Sequence, residues 1–93
     1  MSIKDPVICI PRIERDTSIE YIKKIFMKLQ IGEIIKITET PLKSDNDYKR
    51  VFIKIKWNLL QPGSNYMHDR LNSGDNLKIV YEMPWYWKIV ASR

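Results

Sequence analysis

Residues 48 to 57, Tyr-Lys-Arg-Val-Phe-Ile-Lys-Ile-Lys-Trp, alternate apolar and cationic side chains with period two. That period belongs to an extended strand, where successive side chains leave opposite faces. Val51, Ile53, Ile55 and Trp57 then share one face, which reads as core, while Arg50, Phe52, Lys54 and Lys56 share the other. The second face is a basic row with an aromatic in it, which is what a sheet needs to hold a phosphate backbone and stack a base.

The rest of the chain limits what this strand can belong to. Ninety-three residues make one domain, 1–93, with one modest core expected over about 7–81 and an aromatic C-terminal segment at 84–93. No apolar run approaches the ~18 residues of a membrane span, and the opening Met-Ser-Ile-Lys-Asp-Pro has no signal-peptide pattern, so no membrane partner is expected. Cys9 is the only cysteine and His68 the only histidine. An internal disulfide is thereby excluded and a zinc site is not expected, nor is any cofactor. The setting this implies is reducing and intracellular. A net charge of +5 favours anionic partners, but 11 acidic residues are interspersed with the bases. Charge therefore raises the case for nucleic acid only modestly.

Val7-Ile-Cys-Ile-Pro11 reads as a buried strand, followed by a polar connector from Arg12 to Asp16. Thr17 and Glu20 have the spacing of a capping box, and Ile19, Ile22, Ile25, Phe26 and Leu29 behind them recur at helical spacing. Gly32 is expected to stop this helix in a left-handed conformation. Glu33 to Thr40, rich in β-branched residues, reads as a second strand, and Pro41 to Asp47 as a polar hairpin loop before the strand described first. Asn58 to Asn65 is expected to be a loop. A short helix through Tyr66, Met67, Arg70 and Leu71 should end near Ser73-Gly74. Leu77 to Tyr81 makes a fourth strand, and Trp85 to Ser92 reads as an extended tail or a fifth.

The order β-α-β-β-α-β predicts an α+β domain with a ferredoxin-like split βαβ arrangement: a four-stranded antiparallel sheet, both helices on one face, and an optional extra C-terminal strand. The uncovered face should carry Cys9, Arg50, Phe52, Lys54 and Lys78, because Ile8, Ile10, Val51, Ile53, Leu77 and Ile79 beside them are better core candidates.

Over about residues 7 to 81 this pattern resembles the RNA-recognition motif. Val51-Phe-Ile-Lys-Ile55 looks like the centre of that family's longer signature, which places Phe52 at a stacking position. Ile8-Cys-Ile-Pro-Arg-Ile13 stands where the shorter signature belongs, with Cys9 in place of its usual aromatic. Arg50 replaces a second aromatic, and the signature glycines are absent. A narrower resemblance rests on Leu29-Gln-Ile-Gly-Glu33, Tyr48 to Trp57, Leu71-Asn-Ser-Gly74, Leu77-Lys-Ile-Val-Tyr81 and Met83-Pro-Trp-Tyr-Trp-Lys88. These are similar to small RNA-recognition-like proteins of giant nucleocytoplasmic DNA viruses, the mimivirus and phycodnavirus relatives. The resemblance implies a viral origin and a setting in the host cytoplasm, the viral factory or the virion.

Two binding surfaces follow as expectations. The first is a single-stranded RNA or other nucleic-acid surface formed by Lys49, Arg50, Phe52, Lys54, Lys56 and Lys78, with weak sequence specificity. Against it stands a plain solvated sheet face whose lysines discourage edge-to-edge pairing. The second is a protein-interaction or homo-oligomer surface formed by Trp85, Tyr86, Trp87 and Lys88, in a module that binds no nucleic acid. Against that stands burial of Trp85 and Trp87 with Ile89, whose strand parity they share. Cys9 reads as an apolar filler, and His68 as a surface histidine beside Asp69, which it cannot face from an adjacent helical position. No glycine-rich phosphate loop, catalytic carboxylate pair or nucleophile–base pattern occurs, so no enzyme is expected.

Overall fold

The computed structural model describes residues 5–92. Residues 1–4, where the absence of a signal pattern was read, and residue 93, the end of the aromatic segment, lie outside the described residues. The elements are β1 (Val7–Glu14), α1 (Ile19–Lys28), β2 (Gly32–Pro41), β3 (Tyr48–Trp57), α2 (Pro62–Asn72), β4 (Leu77–Glu82) and β5 (Trp85–Ser92). Every strand pairing is antiparallel, in the order β2-β3-β1-β5-β4. The α+β class and the antiparallel sheet are as expected, but the sheet has five strands instead of four, and β4 does not pair with β1.

The difference lies in the end of the chain. Met83 and Pro84 join β4 to β5, and so short a connection favours a local hairpin over any longer-range pairing. β5 also carries the bulkier inward row, with Trp87 and Ile89 almost wholly buried, and takes the inner position while β4 goes to the edge. Its two halves have different partners. Trp85 to Ile89 pair with β4, whereas Val90 to Ser92 pair with Val7 to Cys9 of β1.

Both helices cover one face of the sheet. From α1, Phe26 stacks on Trp87 with ring centroids 6.4 Å apart, and from α2, His68 meets Trp57 edge-on at 5.3 Å. Ile8, Ile10, Val51, Ile53, Ile22, Leu71 and Ile89 fill the space between. Leu77 is partly buried against the same cluster.

Several local expectations shift by a residue or a turn. Ser18 caps α1 rather than Thr17, its hydroxyl accepting the Tyr21 N–H at 3.1 Å. Gln30, at φ 53°, makes the left-handed turn after the helix instead of Gly32. Gly32 is required for a different reason: a Cβ there would lie 2.2 Å from the Lys56 carbonyl oxygen, so only glycine lets β2 start beside Trp57. α2 begins a turn earlier than expected, at Pro62, where a missing N–H costs nothing. β1 continues through Pro11 to Glu14, into the expected connector, and a bulge between Ile10 and Ile13 inserts one residue and returns Ile13 to the core face.

His68 is buried rather than exposed. Its Nε2 lies 3.0 Å from a carboxylate oxygen of Asp5 and its Nδ1 3.2 Å from the amide nitrogen of Asn72. The carboxylate facing it is distant in sequence, not the neighbouring Asp69.

Candidate nucleic-acid interface

Register carries side-chain direction across the sheet, because directly opposed residues of an antiparallel pair share a face. Phe52 opposes Cys9 of β1 on one side and Thr38 of β2 on the other, and Cys9 in turn opposes Val90 of β5. Thr38, Phe52, Cys9 and Val90 therefore form a row across the middle of the helix-free face. Phe52 is half-buried in it, and Cys9, at 7% exposure, is nearly covered by its neighbours. Burial pushes the Cys9 thiol pKa up, and the Arg50 guanidinium opposes part of that rise. The thiol is thus a filler, as expected, in the place where an aromatic would add a stacking surface.

Cations surround this row. Arg50, Lys54 and Lys56 of β3 are exposed on the same face as Phe52. Lys36 of β2 stands opposite Lys54, and Lys78 of β4 stands opposite Lys88 of β5. Among the described residues none of these six cations takes part in an ion pair. Lys78 also places its ammonium 4.8 Å from the centre of the Tyr86 ring, which it meets on the helix-free face.

Lys49 does not belong to this surface, contrary to expectation. It opposes Ile13 on the core side and is only 7% exposed. Its ammonium is neutralised by the Glu39 carboxylate, and it donates a second hydrogen bond, 2.6 Å long, to the Thr17 carbonyl at the start of α1. Its odd-numbered position, matching Val51 and Ile53, already pointed inward. Lys36 is the converse case, a free-face lysine that sequence reading missed. A bulge between Ile34 and Lys36 lets Ile34 and Ile37 both face the core and turns Lys36 outward. The spacing of three between those two isoleucines was the available signal.

The side chains of the aromatic C-terminal segment do not all leave the sheet on one face either. Trp87 is core, stacked on Tyr81 at 4.6 Å as well as on Phe26. Tyr86 and Lys88 are exposed on the helix-free face, and Trp85 is 63% exposed beside the hairpin turn.

The described residues contain no group of three or more His, Cys, Asp or Glu side chains that could hold a metal ion, and no helix long and apolar enough to cross a membrane. Comparison with protein-family models, curated proteins and solved structures finds no match to this chain.

Proposed function

We propose that the helix-free sheet face binds single-stranded nucleic acid, RNA in the first place, without chemistry and with little sequence preference. The observation that carries this reading is the pair of lysine–lysine oppositions, Lys36 with Lys54 and Lys78 with Lys88, on either side of the Phe52 row. Like charges placed directly opposite each other destabilise a sheet. An anionic ligand lying across the strands turns that repulsion into attraction. Phosphates meet Arg50, Lys54, Lys56 and the outer lysines, and a base stacks on Phe52. With Cys9 and Arg50 standing where further aromatics would serve, affinity rests on charge more than on stacking, and such contacts tolerate any base. Combined with the sequence resemblance noted above, the reading makes this a virus-encoded binding protein that acts in the infected cell.

The test is a titration with random-sequence single-stranded RNA, and with DNA of matching length, at about 50 and 200 mM salt. Binding should weaken as salt rises. Phe52→Ala should cost ~1–3 kcal/mol, and Lys54→Glu should weaken binding most at low salt. An absence of binding at low salt, or binding unaffected by both substitutions, overturns the proposal.

A further inference from the structure

Where β5 changes partner, the sheet opens. β1 and β5 pair only over Val7–Cys9 and Val90–Ser92, so the second half of β1 and the first half of β5 diverge. Between them lies a cleft of about 620 Å³ whose walls include Tyr21, Tyr48, Tyr81, Trp85, Tyr86 and Trp87. These are six of the ten aromatic residues in the chain. Three of them form a rigid wall: Tyr81 stacks on Trp87, and Tyr21 meets both edge-on, at 6.2 Å and 6.0 Å. Trp85 has no such ring partner among the described residues and stands at the mouth.

The charge lining this cleft is opposite to that of the sheet face. Glu14, Asp16 and Glu82 line it, all exposed, and none is in an ion pair among the described residues. Lys78 already holds the Tyr86 ring from the helix-free face, and the one cation that lines the cleft, Arg12, is engaged internally. It lies 3.8 Å over the Tyr48 ring and pairs with Asp45 at 3.2 Å. The carboxylates bear on the aromatic wall as well. The Tyr81 phenol pKa is raised, first by burial and then by the nearby charge of Glu14, the Tyr21 ring and Glu82.

We infer that this cleft receives the ammonium group of a lysine side chain from an extended segment of a partner protein. Aromatic faces attract a cation through their quadrupole, and unpaired carboxylates at the same mouth complete its charge. Phosphate is repelled by the same carboxylates, so the nucleic-acid ligand of the sheet face does not fit here. A polypeptide suits the cleft better than a free ammonium ion because of its rim. Met83, 81% exposed, and Trp85 present apolar surface that residues flanking the lysine cover and a small ion leaves bare. This gives the protein-contact expectation for the aromatic segment a definite chemistry, and it stands or falls independently of the sheet-face reading.

The test uses the full chain and a short capped peptide with one central lysine flanked by alanine and leucine. Binding is read from the tryptophan indole NMR signals and compared with the same peptide bearing norleucine, and with choline. The lysine peptide should bind about tenfold more tightly than the norleucine peptide, and more tightly than choline. Trp85→Ala and Glu82→Gln, both at exposed positions, should each weaken it several-fold with an unchanged near-UV circular dichroism spectrum, while Phe52→Ala leaves it as it was. Equal binding of norleucine or choline, indifference to either cleft substitution, or sensitivity to Phe52→Ala overturns the inference.

Discussion

Lys49 and Lys54 are the same side chain five positions apart, and strand parity gives them opposite tasks. Lys49 points under the helices, where its ammonium holds Glu39 of β2 and the Thr17 carbonyl together. Lys54 points into solvent and opposes only another lysine. Replacing the nearly buried Lys49 with glutamine removes the cation that holds both acceptors, and should destabilise the fold by ~1–3 kcal/mol. The figure stays moderate because Glu39 itself is partly exposed and can turn to water. RNA affinity should not change. Lys54→Gln should do the reverse, leaving stability within ~0.5 kcal/mol and lowering the logarithmic salt slope of RNA binding by ~0.7. Urea denaturation and a salt series on both variants check the pair; equal effects of the two on RNA affinity would show that parity does not separate them.

At the level of elements, β5 unites core and surface within three residues. Trp87 packs on Phe26, Tyr81 and Tyr21, while Trp85, two positions earlier and of the same parity, is the first residue of β5 beside the hairpin turn and stays exposed. Thermal and denaturant unfolding should therefore separate them sharply. Trp87→Ala should cost ~3–5 kcal/mol and Trp85→Ala no more than ~0.5 kcal/mol. The same element marks how far the sequence could be read. β3 was legible from Tyr48 to Trp57 because a period of two survives in it without interruption, and its inward row is the core row. β1, β2 and β4 each carry or meet a bulge, which shifts parity by one residue, and parity is all that sequence reading has for assigning faces. Lys36 was missed for that reason. Strand order was illegible on different grounds. Whether β4 or β5 lies beside β1 depends on comparing a local hairpin with a long-range pairing, and no single segment encodes that comparison. The cleft went unseen with it, since it exists only because β5 divides its pairing between two neighbours.

Over the molecule as a whole, charge is divided unevenly between surfaces. Among the described residues, six cations outside any ion pair occupy the helix-free face, where register also places the acid Glu33 opposite Lys56, and three such carboxylates line the cleft at its end, so a net charge of +5 describes neither. Near the centre of the basic face, the stability of the entire fold is coupled to one thiol. Cys9 is covered by Phe52 and Val90, and its folded pKa lies above that of the unfolded chain because burial disfavours the thiolate more than Arg50 favours it. Below the unfolded value, about 8.5, both states carry the proton and the group has no effect on stability with pH. As pH rises through that value the unfolded chain releases its proton first. It then binds fewer protons than the native state, and stability must fall until the folded thiol also ionises. Urea unfolding of wild type from neutral pH upward should show this loss beginning near the ordinary thiol range. Cys9→Ala, weaker at neutral pH through its small cavity, should lose less stability over the same interval, so that the gap between the two narrows as pH rises. A gap that stays constant would mean that the Cys9 thiol does not discriminate between the folded and unfolded states.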